Sequence, residues 1–245
     1  MHTSLDDPEE RCARLPRGRA SFTIHRLPPD AALLGLIHEW EAKARELRRR
    51  DVAAETRRRL SDDERLLFDL EETLTGEKPG EADAPGRVLR VARSGGRVQA
   101  VAALFRCRRA IFVEYLVAAP WNLLGPDDPP AIESRRGAGT ALLVQAVRTS
   151  LAVGRGGRVA LQAENPRCLA VYEHLGFQRM RPADLPRTLV PSREGWWTEP
   201  AARLAAGVES LAERESPWLL FDPARAPRQG ALALAADVPA LRPAA

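Results

Sequence analysis

The sequence predicts an α+β fold, α/β in the broad sense, with helices packed on a sheet. Three observations predict it. Residues 88–118 hold three runs of strand character in hairpin order. Two stretches before them repeat apolar residues at helical spacing, and a helix, a strand and a second helix follow them.

Taken in order, residues 1–19 are polar, charged and turn-rich, the composition of a flexible segment. Ser21-Phe22-Thr23-Ile24-His25 alternates as a first strand, ended by Pro28-Pro29. Asp30 is placed to cap a helix in which Leu33, Leu34, Ile37, Trp40 and Leu47 recur on one side. Ser61-Asp62-Asp63-Glu64 has the form of a capping box, so a second helix is expected to start there, carry Leu66, Leu67, Leu70 and Leu74, and stop at Gly76. Residues 77–87 read as a Gly/Pro/acidic loop. The three strands are then Val88–Ala92, Val98–Phe105 and Ala110–Ala118, the first two joined by a turn at Ser94-Gly95-Gly96.

A proline-crowded loop spans Pro120 to Glu133. Beyond it, Gly137 and Gly139 open an apolar helix running to Gly154, with Leu143, Val147 and Leu151 on one face. Val159, Leu161 and Ala163 mark a further strand. Asn165 is an N-cap with Pro166 at the first helical position, and Gly176 ends that helix. After Arg181 prolines become frequent. One amphipathic helix is expected over 201–214, a strand at Trp218-Leu219-Leu220-Phe221 that closes the sheet, and a loose Ala/Pro-rich tail. The division is therefore a flexible segment 1–19, a domain 20–182 and a C-terminal extension 183–245.

The 245 residues carry a formal net charge of +4, and lysine is confined to Lys43 and Lys78. That modest excess suits an anionic ligand without demanding nucleic acid. Cys12, Cys107 and Cys168 have no metal-ligand spacing and are read as reduced thiols. Four scattered histidines give no zinc pattern, so no metal is expected. No apolar run of 18 residues and no charged-then-apolar leader occurs, which makes a cytoplasmic protein without membrane attachment the expectation. The Arg48-Arg49-Arg50 and Arg57-Arg58-Arg59 runs read as a solvated helix face rather than a nucleic-acid groove.

Two patterns carry chemistry. Arg135-Arg136-Gly137-Ala138-Gly139-Thr140 opens a helix, where glycines let backbone N–H groups approach a pyrophosphate and the helix dipole adds positive charge. Asn165-Pro166-Arg167-Cys168-Leu169-Ala170-Val171-Tyr172, closed by Gly176-Phe177, puts an Asn and a Tyr two helical turns apart. Each alone is readily structural: a tight helix–strand contact, a local cap, a core tyrosine. With the strands that precede and follow, the order resembles the GNAT acyltransferase superfamily from about Ser21 to Met180, most specifically from Leu116 to Phe177.

The resemblance implies an acyl-CoA, usually acetyl-CoA, in a V-shaped gap between the fourth and fifth strands of a mixed, mostly antiparallel sheet. The pantetheine arm would pair with the backbone of Leu116, Val117 and Ala118. The pyrophosphate would rest on the amides of Arg135, Arg136, Gly137, Ala138, Gly139 and Thr140, with Arg135 or Arg136 adding charge, and Asn165 and Tyr172 would meet the same ligand. Two departures stand out. Ser134 occupies the position where the family has Gln or Arg, and the link from the fourth strand is stretched into the 121–133 loop, which either covers the acceptor site or runs along the surface.

The reaction implied is direct attack of a primary amine on the thioester. Such an amine has a pKa of about 10.4, so a proton acceptor is useful. Glu114 shares strand parity with Leu116 and Ala118 and is the candidate base; its structural alternative is a solvated sheet residue. A backbone N–H near Val117 or Ala118 would stabilise charge on the carbonyl oxygen. Tyr172, with a phenol near pKa 10, would protonate the departing thiolate in a nearly balanced transfer. His174, two residues further on, points elsewhere.

The acceptor is an amine-bearing small molecule or protein. The competing readings are a non-catalytic CoA-binding or interaction module and acetylation of the amino group of a charged tRNA. Trp121, Trp196, Trp197 and Trp218 are candidates for an acceptor pocket or for the core, and the resemblance admits a homodimer.

Overall fold

The alternation at the amino end forms β1 (Thr23–Leu27), which pairs antiparallel with β2 (Arg87–Ser94) in the register Thr23↔Arg93 to Leu27↔Leu89. The computed structural model describes residues 21–28, 31–75, 87–181, 188 and 217–225. Asp30, Gly76, the 77–86 loop, the 201–214 helix, Trp196, Trp197, Cys12 and the expected flexible ends lie outside the described residues. Between β1 and β2 come α1 (Ala31–Arg48) and α2 (Ala54–Thr75); then β3 (Arg97–Arg106), β4 (Ile111–Ala118), α3 (Ala138–Ala152), β5 (Val159–Gln162), α4 (Pro166–His174), β6 (Gln178–Arg179) and β7 (Trp218–Phe221). Gly95 and Gly96 make the β2–β3 turn at φ 59° and 77°, a conformation that glycine enters without penalty.

The strands form one sheet in the order β1-β2-β3-β4-β5-β7-β6, mostly antiparallel with a parallel β4–β5 pair. The strand at Trp218–Phe221 is present, but it lies between β5 and β6 instead of at an edge: it pairs with β5 from Val159↔Phe221 to Gln162↔Trp218 and with β6 at Gln178↔Leu220. No helix among the described residues is long and apolar enough to cross a membrane.

The chain divides into two compact units whose boundary runs through β3 and β4. Described residues of the first are 21–28, 31–75, Val88–Ala103 and Tyr115–Leu142; those of the second are Arg87, Leu104–Glu114 and everything from Leu143 onward. The core of the first unit joins Leu33, Ile37 and Trp40 of α1 and Leu67 and Leu70 of α2 to Leu89, Val91, Val101 and Val117 of the strands. Trp121 completes it, its ring edge-on to Trp40 at 6.1 Å between centroids. In the second unit Phe112 packs on Trp218, and Phe177 bridges Tyr172 and Phe221. Trp121 and Trp218 are thus core residues, 4% and 9% exposed.

α2 begins seven residues before Ser61, at Ala54, so the expected start at the Ser61–Glu64 pattern is corrected. Its cap comes from far along the chain. The Asp128 carboxylate accepts the Ala53 N–H at 2.8 Å, the Gly125 N–H at 2.6 Å and the Thr56 hydroxyl. A distant carboxylate thus does the work that a local Ser, Thr or Asp does at most helix starts. Asp63, inside the helix, is buried. The two arginine runs meet acids: Arg48 pairs with Glu64, Arg50 with Glu46, and Arg58 and Arg59 with Glu55. They form a paired, solvent-facing surface.

Candidate active site

β4 pairs with β5 from Ile111↔Val159 to Val113↔Leu161, and β4 then continues from Glu114 to Ala118 beyond that register. Beyond Gln162 the chain follows β7 instead, with the Ala163 N–H bonded to the Pro217 carbonyl at 3.0 Å. Backbone groups on the open side of a strand need partners, and an extended ligand bearing amides can supply them. The seven strands, the parallel fourth and fifth among them, and the helices between them follow the order expected from the resemblance to the GNAT acyltransferases.

In the first unit the glycine turn is built from the loop that precedes it. Gly137 has φ +96°, which only glycine takes without strain, and from there the chain enters α3, where the Ala141 N–H bonds to the Gly137 carbonyl at 2.9 Å. Helix geometry leaves the N–H groups of Ala138, Gly139 and Thr140 without intrahelical acceptors, the arrangement that accepts an anion. A Cβ at Gly139 would meet the Leu116 side chain at 3.8 Å, so the helix start lies directly against β4. The structure therefore brings Leu116 and the glycine turn together.

Asn122 holds this start in place. Its Oδ1 accepts the Arg135 N–H at 2.7 Å and the Ser134 hydroxyl at 3.1 Å. Its Nδ2 donates to the Gln99 carbonyl and side-chain oxygen at 3.1 and 2.9 Å, and Trp121 Nε1 donates to the same Gln99 oxygen. Gln99 is buried on β3 and its amide reaches the Glu133 carbonyl at 3.1 Å. The 121–133 loop is thus a structural strap, and Ser134 serves it through its hydroxyl.

The two arginines are less available than expected. Arg135 Nη1 donates to the carbonyls of Ile132 and Ser134 at 2.8 and 2.7 Å, and Arg136 Nη2 to the Leu124 carbonyl at 2.9 Å. Each guanidinium has five N–H donors, so neither is exhausted.

In the second unit Glu114 is not a solvated sheet residue: its carboxylate is paired with an arginine. Arg87, expected in a loop, is the first residue of β2 and grips Glu114 through two parallel bonds, Nε–Oε2 at 2.9 Å and Nη2–Oε1 at 3.0 Å. Their side chains are 7% and 12% exposed, and the Arg87 guanidinium also lies 4.8 Å from the centre of the Phe105 ring. Such a bidentate pair is among the stronger polar contacts a protein makes.

Asn165 caps α4, its Oδ1 accepting the Cys168 N–H at 3.0 Å with Pro166 first in the helix. That oxygen serves the helix, so the expected ligand contact of Asn165 would need its amide or backbone. The Tyr172 ring meets Phe177 at a tilt of 56° with 5.7 Å between centroids, and desolvation pushes its phenol well above the ordinary value. It stays protonated across the neutral range, and the balanced transfer expected from an unperturbed phenol gives way to a weaker acid. His174 is exposed at the end of α4. Cys107 and Cys168 are free thiols; burial raises that of Cys107 to about 12, which keeps it unreactive.

No family model matches the sequence, and no curated protein matches it. Solved structures do resemble it in fold. A PaiA N-acetyltransferase from Thermoplasma acidophilum, in complex with coenzyme A, is 12% identical over 82% of this chain and 99% of its own, with a TM-score of 0.42. The ribosomal-protein-S18-alanine N-acetyltransferase from Escherichia coli is 17% identical over 65% and 79%, with a TM-score of 0.39. An IAA acetyltransferase from Bacillus cereus is 18% identical over 65% and 79%, with a TM-score of 0.37. These likenesses are distant and leave the reaction to be argued from the residues.

Proposed function

We propose that this protein is an acetyl-CoA-dependent N-acetyltransferase acting on a primary amine of a small molecule or protein. One observation carries the reading: β4 runs on from Glu114 to Ala118 after its register with β5 ends at Val113. The residues present fit an acyl-CoA. Leu116, Val117 and Ala118 offer extended backbone to the pantetheine amides. Gly137, Ala138, Gly139 and Thr140 offer N–H groups to a diphosphate, with Arg135 and Arg136 close in sequence for added charge.

When bound, acetyl-CoA supplies an activated acyl carbonyl and a thiolate leaving group. The chain's residues would handle the protons while a C–N bond forms and the C–S bond breaks. Glu114 would hold the incoming ammonium and accept its proton, directly or through water, from its place beside Arg87. Tyr172 delivers its hydroxyl proton to the sulfur side. Its half-buried, protonated phenol suits a donor that must not ionise before the reaction.

The test is thiol release from acetyl-CoA in the presence of a panel of primary amines. Turnover above the amine-free blank is expected with at least one amine. CoA binding with no turnover on any amine would contradict the enzymatic reading.

A further inference from the structure

In the second unit, a cavity of about 560 Å³ lies among the residues that precede β4 and β5 and those of β6 and the end of β7. The topology collects arginines there. Arg109 comes from the turn before β4, Arg158 precedes β5, Arg179 lies in β6, Arg181 follows it and Arg225 sits in the turn after β7. The β5–β7 register that pairs Val159 with Phe221 carries on to set Arg158 Nε against Asp222 Oδ2 at 3.1 Å. Gln178 Nε2, at the start of β6, donates to the Arg225 carbonyl at 3.2 Å and fastens the rim.

The described lining therefore carries the guanidinium groups of Arg109, Arg158, Arg179 and Arg225, and that of Arg181, which has a partner of its own, against a single described carboxylate, Asp222. Arg179 also lies 3.7 Å from Glu173, a contact between two exposed side chains that contributes little. Gathering like charges around one concavity costs Coulomb energy unless an anion enters. The volume matches small-molecule sites, which span about 300–1,000 Å³. Among the described lining residues the apolar ones are Met180 and Leu220, and none is an aromatic that could receive a nucleobase. Guanidinium forks match phosphate oxygens in pairs.

We propose that this cavity binds a compact polyphosphate, a small ligand with two or more linked phosphates recognised by charge, separately from the site assigned to acetyl-CoA. The proposal does not depend on the acetyltransferase reading. Arg109 and Arg225 are exposed, so replacing them leaves the fold in place.

Calorimetric titration of the full chain with sodium tripolyphosphate tests it. One site is expected, with weaker binding of orthophosphate. The R109Q/R225Q double variant should bind tripolyphosphate about tenfold more weakly, the loss of two partly solvated charge-assisted contacts. Asp222→Asn should bind it more tightly, because Arg158 loses its counter-charge while the new amide can still accept the Ala224 N–H that Asp222 Oδ1 accepts at 3.1 Å. Absent binding, equal affinity in the double variant, or no gain with Asp222→Asn would overturn the proposal. So would one-for-one displacement by CoA. Tighter binding of a short RNA, lost in the same double variant, would assign the surface to nucleic acid and overturn it too.

Discussion

Tyr172 and Glu114 show how far surroundings can change what a residue type offers. A tyrosine beside a departing thiolate looks well matched while its phenol keeps its ordinary pKa. Half-buried against Phe177 and desolvated there, it is a weaker acid that stays protonated. Tyr172→Phe should lower kcat by about 100-fold, within the range for loss of a general acid, with CoA affinity nearly unchanged. Steady-state kinetics and a CoA titration check this, and unaltered turnover would remove Tyr172 from the chemistry. Glu114 was legible as an acid on the right strand, yet its partner was not: Arg87 follows a Gly/Pro/acidic stretch that reads as loop, and only the sheet pairing draws it into β2. Arg87→Ala would strand a nearly buried carboxylate and should cost about 3 kcal/mol of stability. Urea unfolding measures it; an unchanged midpoint would show that the pair is solvated in practice.

At the scale of elements, those whose signals are local were readable. α4 starts at Asn165-Pro166 because the Asn side chain caps its own helix, and α3 starts at Gly137 because a positive φ calls for glycine. α2 was misplaced because its cap is Asp128, 72 residues from Thr56, and no local pattern reveals that. The Ser61–Glu64 pattern inside α2 is an ordinary polar stretch of helix. The proline-crowded loop, which in sequence could cover a site or run along the surface, proves to bury Trp121 and Asp128. Desolvation raises the Asp128 pKa, but its bonds from Thr56, Ala53 and Gly125 and the charge of Arg59 outweigh this and hold it below the ordinary value. A carboxyl lowered by folding contributes stability that is full above its unfolded pKa of about 3.9 and is lost as pH falls through the folded value. Asp128→Ala should therefore cost about 2 kcal/mol at neutral pH, from a lost cap and two unpaired N–H groups, and progressively less in acid. Thermal melts from pH 7 to pH 3 follow the difference; a constant penalty would contradict the ionic cap.

At the scale of the molecule, the element order was legible because hairpin strands, a glycine-opened helix and an Asn-Pro-opened helix each leave short-range marks. The position of β7 between β5 and β6 was not, since strand order is decided by pairings made across long stretches of chain. The distribution of charge was hidden for the same reason. Arg109, Arg158, Arg179, Arg181 and Arg225 are scattered in sequence and meet only through the register of β5, β6 and β7. The account of function rests on the stretch of β4 beyond its pairing with β5, together with the glycine turn that meets Leu116. Amide hydrogen exchange with and without CoA tests this most directly. Slowed exchange across 114–118 and 135–140 on adding CoA is the predicted result. CoA binding that left both segments unchanged, or that protected only the arginine-lined end of the second unit, would contradict it.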